Sequence, residues 1–145
     1  MDAVAAVWHE SASRMDGAVA DMPTREALRQ HIDAELRSDW HLYVALRDEH
    51  VVGMLALKPQ LAVLDQIFVA PDEQGRGVGR AMLDLAKQLM PSGFTLRMDA
   101  ANNQARRFYE AQGLTKLDEG THPWTGKPVH FYGWMLTASS TRTRC

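Results

Sequence analysis

The sequence is nearly free of cysteine. Its 145 residues include one, Cys145, which is the last residue. A disulfide framework is therefore excluded, and so is a metal site built from paired cysteines. A chain this poor in thiols is compatible with a reducing compartment. Because Cys145 follows a polar segment, a nucleophilic cysteine is a weak candidate for any chemistry.

Long hydrophobic runs are also missing. No apolar stretch approaches the roughly 20 residues that a bilayer-spanning helix needs. The N-terminus carries an acid, Asp2, and no basic segment before its short apolar run. That arrangement is a poor signal peptide. Together these features predict a cytoplasmic protein without a membrane partner.

The charge balance is close to neutral, with a formal net charge of -2. No basic stripe marks a nucleic-acid partner, since Arg142 and Arg144 stand alone in the tail. The apolar fraction of 46% and the charged fraction of 23% are those of an ordinary globular domain. We therefore expect one domain over residues 1–137 and a disordered tail over 138–145.

Hydrophobic spacing predicts an alternation of helices and strands. The predicted order is helices Val4–Met15 and Thr24–Arg37, strands Leu42–Leu46, Val51–Leu57 and Leu61–Val69, helix Val78–Met90, strand Phe94–Met98, a helix capped by Asn102 or Asn103, and strands Leu114–Leu117 and Val129–Leu136. The loop Asp118–Pro128 is expected between the last two strands. This order is typical of a mixed α/β domain with one sheet covered by helices.

The segment Gln74–Gly79 is rich in glycine and lies between a predicted strand and a predicted helix. Glycines let backbone N–H groups approach a ligand, and the helix start adds a positive dipole end. Arg76 and Arg80 add charge that suits phosphates. The segment matches neither the Walker pattern nor the dinucleotide G-x-G-x-x-G pattern. A phosphate site is therefore indicated, and a tight turn without a ligand is the alternative.

Two motifs resemble the GNAT family of N-acetyltransferases. Gln74, Gly77 and Gly79 match the family's pyrophosphate-binding signature, Q/R-x-x-G-x-G/A. The later family motif N-x-x-A-x-x-x-Y-x-x-x-G-F is matched by Asn102, Ala105, Tyr109, Gly113 and Leu114, where Leu114 replaces phenylalanine. The strand before Pro71 also looks like the family's fourth strand. The resemblance covers about residues 42–136.

The resemblance implies a single mixed, mostly antiparallel sheet with helices on both faces and two splayed central strands. The N-terminus departs from the family pattern, because a helix begins almost at Met1 where members usually have a strand. The first strand is thus expected to be short or missing. The sheet edge would then be shorter or filled by a neighbouring chain, and apolar strands such as Phe131–Leu136 are compatible with a homodimer.

The resemblance also implies acetyl-CoA as co-substrate, with no metal. The residues implied to bind it are Ile67, Phe68 and Val69 along the pantetheine arm, Gln74, Gly75, Arg76, Gly77, Val78, Gly79 and Arg80 around the pyrophosphate, and Asn102, Ala105 and Phe108 on the later helix. A β-bulge within Ile67–Val69 is expected to aim one N–H at the thioester carbonyl, where it would stabilise an oxyanion.

Two residues are candidates for the chemistry. Tyr109 matches the family's general acid, whose phenol protonates the departing CoA thiolate. By helical spacing alone, Tyr109 is equally a core aromatic residue beside Phe108. Asp65 is the candidate base, because it is an acid inside an apolar strand near the expected cleft. Its alternatives are a contact to the substrate ammonium and a solvated acid at a strand end; Glu10, His41 and His130 are weaker candidates.

The function implied is an acetyl-CoA-dependent N-acetyltransferase that moves an acetyl group to a primary amine of a small molecule or peptide. The lack of a usable cysteine favours direct attack by the amine in a ternary complex. Acceptor specificity is expected from residues 8–23 and from the loop Asp118–Pro128, where Trp124 could cover a cation. The alternative is a non-catalytic acyl-CoA-binding regulatory or partner-binding domain of the same fold.

Overall fold

The computed structural model describes residues 2–13, 23–123 and 125–135. Their elements are α1 Asp2–Ser13, α2 Arg25–Leu36, β1 His41–Arg47, β2 His50–Lys58, β3 Val63–Val69, α3 Val78–Leu89, β4 Phe94–Asp99, α4 Asn103–Ala111, β5 Thr115–Thr121 and β6 Pro128–Trp134. The predicted order of helices and strands is confirmed. The expected tail over 138–145, the first helix beyond Ser13 and Trp124 lie outside the described residues.

Side-chain caps fix where two of the helices begin. The hydroxyl of Thr24 accepts a hydrogen bond from the backbone N–H of Ala27 at 3.1 Å, so α2 begins at the next residue, Arg25. The side-chain oxygen of Asn102 accepts from the N–H of Ala105, also at 3.1 Å. Both caps satisfy N–H groups that a helix start leaves without a partner.

The strands form one sheet in the order β1-β2-β3-β4-β6-β5. All neighbouring strands are antiparallel except β3 and β4. These two pair at a single position, Val63 with Thr95, where the N–H of Thr95 donates to the carbonyl of Ala62 at 2.9 Å. Beyond that point the strands part, which confirms the predicted mixed sheet with splayed central strands.

Helices cover both faces of the sheet, as predicted. On one face α3 packs against β2, with Leu83 in contact with the cluster that holds Leu55 and Leu57. On the other face α1 and α2 pack over β2, where Trp8 and Ile32 join the second buried cluster. Trp8 is a core residue, since its ring is buried and stacks on Phe68 at 5.6 Å between centroids. The burial of both faces positions β3 rigidly between the helices.

The expected loop Asp118–Pro128 is shorter than predicted. Strand β5 continues to Thr121, because Asp118 pairs with Phe131 and Glu119 pairs with His130 on β6. These cross-strand pairs outweigh the low strand propensity of aspartate and glycine. The connection between β5 and β6 is therefore confined to residues 122–127.

The edges of the sheet are β1 and β5, and β6 lies inside it. The apolar residues of β6 are thus explained by pairing with both neighbours. No strand precedes α1 within residues 2–13, so β1 is an edge strand on which Val44 and Leu46 are exposed. The homodimer stays a prediction. Among the helices that the structure describes, none is long and apolar enough to cross a membrane.

Candidate functional site

The glycine segment forms a turn that leads directly into α3. After the short 3-10 turn Pro71–Glu73, Gly75 and Gly77 adopt φ values of +81° and +87°. This left-handed conformation is accessible to glycine without steric cost. Gly77 occupies the cap position of α3 and supplies no side-chain hydrogen bond. The first N–H groups of α3 are therefore left for a ligand, as an anion site requires.

A buried carboxylate anchors this turn. The Nε of Arg47, on edge strand β1, donates to both carboxylate oxygens of Glu73 at 2.8 and 3.0 Å. Arg76, within the glycine segment, lies 3.7 Å from the same carboxylate. The side chain of Glu73 is 11% exposed and that of Arg76 is 63% exposed. Glu73 thus joins the edge strand to the turn.

A cleft of about 340 Å³ opens beside this turn, and we call it the cofactor cleft. Its lining residues are Ser11, Ile67, Phe68, Val69, Gln74, Gly75, Gly77, Gly79, Arg80, Asn102, Gln104, Ala105, Phe108 and Tyr109. The structure therefore brings the three predicted groups of cofactor residues into one cavity together with the predicted acid. Arg76 and Val78 lie outside it: Arg76 extends along the surface beside Glu73, and Val78 packs against the core.

Ser11 and Gln104 line the cofactor cleft and were missed by the sequence analysis. The hydroxyl of Ser11 donates to the backbone carbonyl of Val69 at 2.6 Å, and the side-chain amide of Gln74 donates to the same carbonyl at 3.3 Å. Gln104 donates to Gln74 at 3.3 Å. Ser11 had a signal, because it continues the helical spacing of buried Val4 and thus is a polar residue on an inner face. Gln104 had none.

Tyr109 is both a core residue and a cleft residue. It is 8% exposed, and its ring lies 5.4 Å from Phe108 and 6.4 Å from Tyr132 between centroids. Burial raises the pKa of the Tyr109 phenol well above its ordinary value. The phenol is therefore protonated throughout the neutral range, which is the state that a proton donor needs. The two sequence-based interpretations of Tyr109 are compatible with each other.

Asp65 does not share a cavity with Tyr109. The register between β2 and β3 slips at Asp65, since Gln66 pairs with Ala56 and Leu64 pairs with Leu57. The expectation of a bulge within Ile67–Val69 is therefore wrong: these three residues pair regularly with β2, and the bulge lies before them, at Asp65. The indole N–H of Trp40 donates to Oδ2 of Asp65 at 2.9 Å.

Asp65 lines a second cavity of about 490 Å³, and we call it the charged cavity. Its floor is formed by β3, β4 and β6, and its wall by residues of the 122–127 connection. It shares no lining residue with the cofactor cleft in the part of the chain that the structure describes. Asp99 and Lys127 form an ion pair there at 2.9 Å. Burial and the nearby Arg97 lower the pKa of His122, so its imidazole is neutral at pH 7.

The sequence profile of the Acetyltransferase (GNAT) family matches residues 7–114 of this chain. The matched segment includes the glycine turn, the cofactor cleft and Tyr109.

The chain belongs to the GNAT acetyltransferase family.

Curated relatives support this membership. The chain is 32% identical over 88 residues to the peptidyl-lysine N-acetyltransferase YjaB of Salmonella typhimurium, covering 60% of this chain and 59% of that protein. It is 28% identical over 113 residues to the probable N-acetyltransferase Rv2775 of Mycobacterium tuberculosis, covering 72% of this chain and 64% of that protein. The chain thus spans roughly three-fifths of the length of these relatives.

Solved GNAT structures show the same fold. The solution structure of apo YjaB from Escherichia coli has a TM-score of 0.70 at 24% identity, covering 90% of this chain and 88% of that one. A Bacillus anthracis protein described as a streptothricin acetyltransferase, crystallised with acetyl coenzyme A, has a TM-score of 0.61 at 21% identity, covering 68% and 64% of the two chains. At these identities the likeness shows the fold alone.

The weaker catalytic candidates line neither the cofactor cleft nor the charged cavity. Glu10 forms an ion pair with Arg25 at 3.1 Å, and His41 is exposed at the start of β1. His130 lies 3.5 Å from Glu119 on the neighbouring strand. Within residues 2–13, 23–123 and 125–135, no three His, Cys, Asp or Glu residues form a group that could hold a metal ion.

Proposed function

We propose that this protein is an acetyl-CoA-dependent N-acetyltransferase whose acceptor is a primary amine of a small molecule or peptide. The observation that carries the proposal is the cofactor cleft, where the glycine turn, the part of β3 that is not paired with β4, and Tyr109 meet in one cavity. Membership of the GNAT family and the relatives named as N-acetyltransferases support the same activity.

The cleft offers a separate contact for each part of acetyl-CoA. The N–H groups of residues 74–79 and the start of α3 suit the pyrophosphate, and the Arg80 side chain adds positive charge. Strand β3 pairs with β4 only at Val63, so the later backbone groups of β3 that face the split have no β4 partner. Ser11 and Gln74 already donate to the carbonyl of Val69, and the amides of a pantetheine arm would supply partners for the other backbone groups that face the split.

The chemistry is direct acyl transfer. A neutral amine attacks the thioester carbonyl, and a C–N bond forms while the carbonyl oxygen becomes an oxyanion. A backbone N–H of Ile67–Val69 would stabilise that oxyanion. The nitrogen of the tetrahedral intermediate then releases its extra proton to water, and the C–S bond breaks to expel the CoA thiolate. The phenol of Tyr109 donates a proton to the sulfur and regains one from water before the next turnover. Tyr109 suits this step because burial keeps it protonated.

Asp65 has a different role in this proposal from that of a base within the cofactor cleft. Its carboxylate lines the charged cavity on the far side of the split. A carboxylate at that position attracts the protonated acceptor amine, which releases a proton to water and then attacks the thioester as the neutral amine. Trp40 donates to Oδ2 of this carboxylate, and we assign the contact with the acceptor to Oδ1.

Two measurements test the proposal. Saturating acetyl-CoA, at about 100 times its Kd, should stabilise the protein by about 2.7 kcal/mol and raise Tm by roughly 5–10 °C. CoA-thiol release should then depend on an added amine in a panel of spermidine, lysine peptides and amino acids. An unmoved Tm contradicts cofactor binding. A raised Tm without amine-dependent release supports the non-catalytic alternative.

A further inference from the structure

The charged cavity contains charges of both signs, and most of them neutralise each other. Asp99 is paired with Lys127 at 2.9 Å. Lys58 is paired with Glu35, on α2, at 3.6 Å. A paired charge contributes little to binding a further ion, because its partner cancels much of its field at a distance. The charges left to recognise a ligand are those of Asp65 and Arg97.

Asp65 and Arg97 occupy equivalent positions on the two splayed strands. Each lies two residues after the last paired position, Val63 on β3 and Thr95 on β4. Both residues line the charged cavity, so they lie on the same side of the sheet. The strands have parted at this level, so their backbones lie farther apart than the roughly 4.8 Å between paired strands, which leaves room for a ligand between the two residues.

The two side chains are suited to bind opposite charges. Trp40 orients the Asp65 carboxylate through Oδ2 at 2.9 Å, which leaves Oδ1 for a ligand cation. Within the described residues, Arg97 forms no ion pair with a carboxylate. Its planar guanidinium binds a carboxylate with two parallel hydrogen bonds. Val129 and Phe131 on the adjacent β6 supply an apolar wall beside it.

We infer that the acceptor is an amino-acid-type molecule that carries a carboxylate as well as the reacting amine. The carboxylate binds Arg97, the ammonium binds Asp65, and the span between them places the amine at the split where β3 enters the cofactor cleft. This inference rests on the proposed acetyl transfer and specifies the class of its acceptor. Neutral amines and polyamines lack the group that Arg97 recognises.

The test compares each of the twenty L-amino acids with its carboxamide at saturating acetyl-CoA. CoA-thiol release should show kcat/KM about tenfold higher for at least one acid than for its amide, since a hydrogen bond to a charged group is lost with the amide. The comparison is stringent, because the amine of the carboxamide is less basic than that of the acid. A larger share of it is neutral and reactive, so basicity alone would favour the carboxamide. Arg97→Gln should abolish the preference while the acetyl-CoA KM stays unchanged.

Arg107→Gln is the matched control. Arg107 is an exposed arginine on α4 and lines neither cavity. The Arg107→Gln variant should keep the preference for acids over carboxamides. If amides react as well as acids, or if Arg97→Gln keeps the preference, the inference is wrong although acetyl transfer stands.

A binding measurement separates the inference from the proposed function. The same acids and amides are titrated calorimetrically into CoA-saturated protein. If an amino acid binds in a way that depends on Arg97 but is not acetylated, the result supports amino-acid recognition and contradicts the proposed acetyl transfer. Turnover of spermidine or lysine peptides alone, with no acid bound, supports the transfer and contradicts the inference. If the acids do not bind and no amine reacts, both the inference and the proposed function are wrong.

Discussion

Arg47 and Glu73 join the edge strand β1 to the glycine turn through two contacts from one nitrogen, at 2.8 and 3.0 Å. Glu73 is nearly buried, so its charge depends on the guanidinium for compensation. Arg76 shares the same carboxylate at a longer distance, 3.7 Å. The balance among these three charges therefore decides how much of Arg76 is available to an anionic ligand.

We predict that Arg47→Gln weakens acetyl-CoA binding by about tenfold, or about 1.4 kcal/mol. The change leaves an extra negative charge beside the pyrophosphate site, and it draws Arg76 toward Glu73. Steady-state kinetics should show a higher acetyl-CoA KM with kcat little changed, because the contact acts equally in the ground and transition states.

Two controls accompany this variant. Arg25→Gln breaks the exposed ion pair with Glu10 and should leave the acetyl-CoA KM unchanged. Arg47→Gln combined with Glu73→Gln removes both charges and should recover part of the affinity. Equal affinities in wild type and Arg47→Gln would show that the cluster has no influence on the cofactor.

Tyr109→Phe should lower kcat by about 100-fold, the lower end of the range for loss of a general acid. The aromatic ring stays in the core, so the fold and the acetyl-CoA affinity should be retained. Single-turnover CoA release measures the chemical step directly. If the rate is unchanged, water or another group protonates the thiolate.

Tyr132→Phe is the matched control for Tyr109. Tyr132 is also a buried tyrosine, and its hydroxyl donates to Glu110 at 2.8 Å. It lines neither cavity. Loss of the Tyr132 hydroxyl removes its hydrogen bond to Glu110, which should lower the free energy of unfolding by about 1 kcal/mol without changing kcat.

The pH profile of kcat should have no falling limb due to Tyr109 below pH 10. Burial raises the pKa of this phenol, so its protonated form persists to higher pH than that of an exposed tyrosine. Activity should instead rise with pH as the acceptor amine loses its proton. Initial rates measured between pH 6.5 and about 10 test whether activity rises with pH as expected. A descending limb below pH 10 that is present in wild type and absent from Tyr109→Phe would contradict the raised pKa.

Gly77→Ala should weaken acetyl-CoA binding more than it destabilises the fold. Gly77 has a φ of +87°, which costs a side-chain-bearing residue roughly 1–2 kcal/mol. An added Cβ would meet no described atom within 4 Å, so the strain is that of the turn itself. Gly113→Ala imposes the same strain at φ +90°, after α4 and outside the cleft. The two variants should lose similar Tm, and Gly77→Ala alone should lose cofactor affinity.

Most of the fold and most of the cofactor cleft could be predicted from local patterns. Helical spacing located α3 and α4, and Thr24 and Asn102 each capped the helix that follows. The glycine turn was recognisable because its glycines are needed for a backbone conformation. These features depend on residues close together in the chain, so the sequence alone is sufficient to recognise them.

The length of β5 and the position of the bulge required the sheet. Aspartate and glycine disfavour a strand, but pairing with β6 extends β5 to Thr121. The slip at Asp65 comes from how β3 pairs with β2, which no property of β3 alone reveals. A register is a relation between strands, so it is decided when they meet.

Local periodicity and backbone-specific residues were thus sufficient to define the order of elements and the glycine turn, and the motif that resembles the GNAT family marked Tyr109 as a site residue. Tertiary contacts alone placed Ser11 against Val69, paired Arg47 with Glu73 and put Asp65 in the charged cavity with Arg97 rather than beside Tyr109. Each of these pairs joins segments distant in the chain. Their distances depend on how the sheet splits and how the helices pack on it, and both are set by the burial of the whole core.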